Sequence, residues 1–277
     1  MHNILTIARK EFRDGFRNRW TLAITAIFAA LALGIAYFGA VTSGRVGFTS
    51  FGATLASLTT LGSFVIPLIS LLIAYDTIVG EDDGGTLQLL LAYPLSRAEL
   101  AAGKFLGHSA VLATAIVAGF GIAVVAYEVM MPEVRTLAAW TAIGTFIFSA
   151  SLLGASFVGL ACLISVLARE KARAAGLALL VWFALVVLFD LVLLAVLVIS
   201  RGNDIERAIF PYLLMLNPID VFRLINLVGL GNGAGNAVFL AMAAGHVYQI
   251  GVLYGALAAW TLAPFALALR AFQTREI

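Results

Sequence analysis

The chain has 277 residues, of which 62% are apolar and 12% charged, with a net charge of +2 and a mean hydropathy of +1.03. No soluble domain of this length needs so much apolar surface, so the composition indicates an all-α integral membrane protein and excludes a soluble enzyme or a nucleic-acid-binding module. The lone cysteine, Cys162, sits in an apolar run. It excludes a disulfide framework or a Cys-based metal site and reads as a small packing residue.

The N-terminal stretch "ILTIARKEFRDGFRNRW" places Ile4, Ala8, Phe12 and Phe16 on one helical face and Arg9, Arg13 and Arg17 on another. That pattern predicts an interfacial amphipathic helix over residues 1–19. A basic lead of this length reads as an elbow before the first span, not as a cleaved signal peptide. Six windows then supply the roughly 20 apolar residues that cross about 30 Å of hydrocarbon: 20–41, 53–74, 105–127, 137–167, 174–199 and 247–269. Pro67 and Pro264 predict kinks inside two of them, and Gly251 with Gly255 forms a GxxxG pair that predicts close helix packing.

Lys and Arg are distributed unevenly between the two sides. Arg9, Lys10, Arg13, Arg17, Arg19, Arg97, Lys104, Arg169, Lys171, Arg173, Arg270 and Arg275 fall on one side, and Arg45, Arg135, Arg201, Arg207 and Arg223 on the other. The richer side is cytoplasmic by the positive-inside rule, which places both termini and the 75–104 connection there. Residues 200–246 become a periplasmic loop, longer than a simple connection requires. Within it, "AIFPYLLMLNPIDVFRLINLVGL" is excluded as a seventh span by Pro211, Pro218, Asp220 and Arg223. Its apolar patches predict short helices lying on the membrane or against a partner, with Asn217, Pro218, Asp220, Phe222 and Arg223 as the docking candidates. The "GLGNGAGN" stretch reads as a flexible turn, because no strand precedes it.

The 75–104 connection carries helix signals of its own. Glu81, Asp82 and Asp83 precede two glycines, and Leu87, Leu90 and Leu91 form an i, i+3, i+4 stripe that Pro94 ends. Ser96 with Glu99 then makes a capping box that starts a second helix running through Lys104 into the third span. One reading is a solvated hairpin whose leucines rest on the bilayer. The other is a protein-docking helix, favoured because three acids are repelled by anionic cytoplasmic lipid while an apolar stripe beside them suits a protein groove.

Catalytic and metal constellations are not apparent in the sequence. His2, His108 and His246 are scattered, Met130 and Met131 are adjacent where one helical turn would be needed, and Met215 and Met242 lie far along the external loop. Gly103-Lys104 is followed by Phe105 and belongs to no phosphate loop, so an active transporter built on this chain needs a separate ATPase. Asp190 is the one carboxylate well inside a span. Two roles stand open for it: a functional intramembrane acid, or a structural acid that fixes packing against Thr141, Thr145, Ser149 and Ser151 of the fourth span.

"GEDDGGTLQLLLAYPLSRAELAAGKFLG" resembles the cytoplasmic signature of ABC type-two permeases, in which Glu-Arg-Glu and any one residue lead into Gly-Thr-Leu, a leucine-rich run, Pro, Ser-Arg and Gly-Lys. Glu81, Asp83, Gly85, Thr86, Leu87, Leu90, Pro94, Ser96, Arg97, Gly103 and Lys104 match that signature, and Asp82 stands where the family commonly has arginine. The resemblance extends over the elbow helix, the six-span layout and the long loop before the last span. "YDTIVGEDDGGTL", "AAGLALLVWFALVVLFDLVLLAVLVIS" and "MLNPIDVFRLINL" are most similar to the branch that serves maturation of the copper enzyme nitrous oxide reductase. What this resemblance implies is a single transmembrane domain over 1–277 with the type-two (type V) exporter permease fold, working as a homodimer in the bacterial inner membrane. It also implies two cytoplasmic ABC ATPase subunits that hold ATP and Mg, a periplasmic β-helical accessory protein and a copper chaperone lipoprotein. This chain itself is expected to bind no cofactor. Glu81, Asp82, Asp83, Gly85, Thr86, Leu87, Leu90 and Leu91 are the implied ATPase-coupling residues. The sulfur-poor span pattern leans toward a sulfur species over copper as cargo. Alternatives are a permease of another type-two exporter (lipid, drug or polysaccharide), a non-transporting membrane anchor or signal transmitter, an intramembrane enzyme, and an ion-coupled secondary transporter.

Overall fold

The computed structural model describes residues 2–17, 20–38, 51–130, 136–200, 210, 212–229 and 249–275. Among these no strand occurs, in keeping with an all-α membrane protein. The elements are α1 (His2–Arg17), α2 (Trp20–Phe38), α3 (Phe51–Ala74), α4 (Val79–Asp83), α5 (Leu87–Leu91), α6 (Arg97–Met130) and α7 (Leu137–Leu167). They continue with α8 (Lys171–Phe183), a π-helical turn (Ala184–Leu188), α9 (Phe189–Ser200), α10 (Pro218–Gly229) and α11 (Ile250–Thr274). Among the described residues five helices are long and apolar enough to cross a membrane: 51–83, 97–125, 137–167, 171–198 and 250–274. The sixth expected span corresponds to α2, an apolar helix whose Leu22–Ile35 stretch is inclined 66° to α1.

In a bilayer, hydrocarbon supplies no hydrophobic drive between helices, so close packing and internal hydrogen bonds decide the bundle. The helix α7 is its axis. Two-thirds of its most apolar window (67%) is buried, and it touches α3, α6, α8, α10 and α11. Small residues let the neighbours approach. A Cβ on Gly159 would stand 3.0 Å from the Thr261 carbonyl of α11, and Ser156 shares a 2.8 Å hydrogen bond with Thr261 across the same contact. Four phenylalanines, Phe28, Phe120, Phe146 and Phe222, link α2, α6, α7 and α10 with centroid spacings of 5.3, 4.8 and 6.0 Å. Pro67 and Pro264 lie inside α3 and α11 without ending either helix.

Gly251 and Gly255, expected to pack closely against a helix, find no such neighbour within this chain: both are exposed near the start of α11, with no described atom within 4 Å of an added Cβ. The working pair is Gly103 and Gly107 on α6, where an added Cβ would stand 2.6 Å from the Ile7 Cβ and 2.5 Å from the Glu11 Cβ of α1. The elbow helix is thus clasped to α6 along one face. Arg9, Arg13 and Arg17 remain exposed, and Leu5 and Phe16 are exposed with them.

The largest departure concerns the segment around 218. The helix α10 spans 12 residues, about 18 Å at about 1.5 Å per residue, too short to cross. It is not a surface helix either. Asn217, Ile219, Asp220, Val221, Phe222, Leu224, Ile225 and Asn226 are all buried, and α10 packs on α3, α7 and α11. Asn217 and Pro218 start it in the manner favoured for helix N-termini: the Asn217 side chain accepts from the Ile219 N–H at 3.1 Å, and proline occupies the first helical position. Asn217, Pro218, Asp220, Phe222 and Arg223, expected to face a periplasmic partner, are therefore buried or half-buried within this chain. The "GLGNGAGN" turn from residue 230 onward, Arg45, Arg135, Arg201, Arg207, His246, Met131 and Met242 lie outside the described residues.

Gly107→Leu should free α1 from α6, so that the helix frays and trypsin cuts faster at its already exposed arginines in the detergent-solubilised protein. Gly121→Leu, at a position with no neighbour within 4 Å, should leave the digestion pattern unchanged.

Candidate functional site

Two clusters of charge stand out, one at the α4–α5 end of the bundle and one inside it. At the first, α4 begins without a cap of its own, and the hydroxyl of Ser165 on α7 accepts from the N–H groups of Ile78 and Val79 at 2.9 and 3.0 Å. Those first-turn donors would otherwise be orphaned. The chain then turns at Gly85, whose φ of +68° lies in the left-handed region that favours glycine. Thr86 donates back to the Glu81 carboxylate across the turn, and the five-residue α5 follows.

The acidic triplet does not sit on the first turn of the leucine helix. Each acid is engaged by a different part of the chain. Glu81 accepts from Lys104 of α6 at 2.8 Å, and Lys104 also lies 3.4 Å from Glu11 of α1 while only 5% exposed. Asp82 pairs with Arg275 at 2.6 Å, and Arg275 donates as well to the Val166 carbonyl at 2.9 Å. Asp83 accepts from the Lys171 backbone N–H at 2.7 Å, while the Lys171 ammonium pairs with Asp76 at 2.7 Å. Arg97 donates to the carbonyls of Phe272, Gln273 and Arg275, satisfying the end of α11. The capping box holds as expected: Ser96 N–H donates to Glu99 at 3.0 Å and Glu99 N–H to Ser96 at 3.1 Å, starting α6.

The leucine stripe is turned the opposite way from the expected groove. Leu87 is fully buried, and it joins Ile78, Leu100, Ala101, Val166 and Phe272 in a small core that Leu90 and Leu91 cover. What α5 leaves outside is Gln88, Leu89 and Ala92, followed by Tyr93, with Leu89 66% and Tyr93 67% exposed. A five-residue helix with three inward leucines has few positions left to show. The i, i+3, i+4 count identified the amphipathic face correctly, but a covered side and a docking side look alike in sequence.

The second cluster lies within the membrane domain. Arg223 of α10 donates from Nη1 to Asp190 of α9 at 2.7 Å and to Asp220 at 3.1 Å, and its Nε and Nη2 both reach Ser63 of α3, at 3.2 and 3.1 Å. Asp190 therefore has an arginine partner and not the fourth-span hydroxyls. Of those, Ser149 accepts instead from Asn226 at 3.0 Å, and Thr141 and Ser151 return their hydrogen bonds to their own helix. Just before Asp190 the helix widens into the π turn, and the Leu185 carbonyl accepts from Asn217 at 2.8 Å. Single π turns inside α-helices recur at functional positions. The signal that could have joined Asp190 to Arg223 was the presence of one buried-window acid and one arginine in an apolar segment, because neither charge is tolerable alone at membrane depth.

Comparison with known proteins places this arrangement in context. A family described as ABC-2 family transporter protein matches residues 5–277. The chain is 52% identical over 274 residues to a protein of Pseudomonas aeruginosa called probable ABC transporter permease protein NosY, covering 99% of each chain. It is 49% identical over 276 residues to a protein of the same name from Stutzerimonas stutzeri, again covering 99% of each.

Lys104→Met, which leaves Glu11 with only the exposed Lys10 and Glu81 with only Thr86, should destabilise the protein by about 3 kcal/mol, the scale of breaking a buried pair. Asp82→Asn, at a partly exposed pair, should cost about 1 kcal/mol. Thermal unfolding of the two variants in one detergent should rank them in that order.

Proposed function

This chain belongs to the ABC-2 transporter family as a permease subunit whose ATP hydrolysis resides in a separate subunit, and we propose that it serves maturation of the copper sites of nitrous oxide reductase. The end-to-end likeness to two proteins named NosY supports this reading. So does the likeness of "YDTIVGEDDGGTL" and "MLNPIDVFRLINL" to the permeases of that maturation system. The test is a strain that lacks this chain. It should produce nitrous oxide reductase polypeptide without its copper sites, and full copper loading there overturns the proposal.

The contact with the ATPase is assigned to the α4–α5 end, which faces the cytoplasm along with both termini. The observation that carries it is the combination of an outward apolar tip, Leu89 and Tyr93, with a base fixed to four other helices. Glu81, Asp82 and Asp83 hold that base to the body, Gly85 and Thr86 make its turn, and Leu87, Leu90 and Leu91 seat it. Gln88, Leu89 and Tyr93 enter the partner's groove. Force applied to the tip then reaches α1 and α6 through Glu81, α11 through Asp82 and α8 through Asp83. ATP and Mg belong to the ATPase subunits.

The permease works as a homodimer in the inner membrane. Only 11% of the most apolar window of the 171–198 span is buried within one copy, and Asp190, 38% exposed, opens on that face. Hydrocarbon does not accept a carboxylate, so the face meets protein or a water-lined space that a second copy completes. The elbow helix α1 rests on anionic lipid through Arg9, Arg13 and Arg17 beside Leu5 and Phe16. A periplasmic β-helical protein and a copper chaperone lipoprotein act on the opposite side. The cargo is a sulfur species, and saturable ATP-driven copper uptake by vesicles containing the complex overturns that assignment.

Leu89→Asp and Tyr93→Asp should each abolish co-purification of the ATPase while leaving the permease's melting temperature unchanged. Leu87→Asp should lower the melting temperature instead, because it places a charge in the core under α5.

A further inference from the structure

We propose that the Asp190–Arg223 ion pair is a latch that fastens the fifth span, α8 to α9, to the buried helix α10, and that Asp220 is the resident counter-ion that allows the latch to open.

The span is the least embedded of the five long apolar helices: 11% of its window is buried, against 28% for the next and 67% for α7. What holds it is a row of polar ties. Lys171 pairs with Asp76 at one end, the Trp182 indole donates to the Phe64 carbonyl at 3.0 Å, Asn217 donates to Leu185 in the π turn, and Arg223 holds Asp190. Only Ala174, Ala178, Val186 and Leu193 of the span are buried in the core, and lipid gives no hydrophobic drive toward other helices, so those directed contacts weigh heavily in whether the span stays in place.

Arg223 has one more carboxylate than it needs. Asp220 is three residues earlier on the same helix and completely buried, whereas Asp190 comes from a different element and is 38% exposed. Removal of a sole partner would strand a buried cation, which is severely unfavourable. Here it does not. If Asp190 departs, Arg223 keeps Asp220 and Ser63, and the Asp220 Oδ2, which accepts no hydrogen bond among the described residues, is available to the N–H that Asp190 gives up. In the closed state, by contrast, two carboxylates share one guanidinium and repel each other. Opening relieves that repulsion, and Asp190, already 38% exposed, passes to the water-lined space or protein that its open face meets. The π turn at Ala184–Leu188 supplies the joint, since its hydrogen bonds have already shifted from four-residue to five-residue spacing just before Asp190. The far end of the same span is tied to α4 through Asp83 and the Lys171 N–H, so motion of α4 reaches it directly.

This inference rests on the reading that the α4–α5 end receives the ATPase, and the test separates the two. Amide hydrogen exchange in 184–200 is followed in the whole permease–ATPase complex in lipid nanodiscs, with and without ATP. In the unmodified complex, exchange there should rise roughly tenfold with ATP. No ATP-dependent change in that segment overturns the latch, whatever any variant does. Asp190→Asn should give the fast exchange without ATP, whereas Asp220→Asn, which leaves Asp190 as the sole counter-ion, should keep exchange slow even with ATP. Shifts of both variants in the same direction overturn the latch, because a merely structural charge cluster responds alike to either neutralisation. Asp190→Glu, which preserves the charge, should restore the ATP-dependent rise, and a failure to do so likewise counts against the proposal. Failure of the ATPase to assemble with the unmodified permease would instead refute the docking assignment.

Discussion

Lys104 is a full positive charge with 5% of its surface exposed, held between carboxylates from two other helices. Much of the α4–α5 end depends on that arrangement. A buried ammonium is stable only while its partners stay within reach, so α1, which contributes Glu11, and α4, which contributes Glu81, are fixed to α6 at one point. Gly103 and Gly107 flank that point and bring α1 close enough for Glu11 to reach. Packing and charge are thus one device: the glycines set the distance that the ion pairs require, and the ion pairs hold helices that would otherwise be separable in lipid.

The same constraint explains how much of the molecule could be read from its sequence. Span positions were legible because the demand for roughly 20 apolar residues is a property of the bilayer and not of the fold. The capping box at Ser96 and Glu99 was legible because both partners lie within one turn. Partners distant in sequence were not. Asp82 and Arg275, or Asp190 and Arg223, bear no periodic relation to each other, and only the burial cost common to both members of a pair connects them.

The helix α10 shows where a hydropathy argument inverts. Pro218, Asp220 and Arg223 made the segment look external, since each is costly in lipid. The cost applies to a side chain that faces lipid unpaired, whereas these residues cap the helix or pair with one another inside protein. Polar residues in an apolar segment thus distinguish two situations, exposure to water and burial in a mutually satisfied group, that a window average merges. The orientation of α5 failed for a related reason, because an apolar stripe records that one face is covered without recording by what.

The order in which the acidic triplet finds its partners has a consequence for biogenesis. Chain is made from the N-terminus, and the partner of Glu81 lies 23 residues downstream, that of Asp83 lies 88 and that of Asp82 lies 193. The triplet is therefore satisfied stepwise as successive helices enter the bilayer, and the α4 platform becomes rigid only after α11 has been inserted. On the docking proposed above, a nascent permease offers its ATPase no firm footing until then, and engagement of the motor follows completion of the membrane domain.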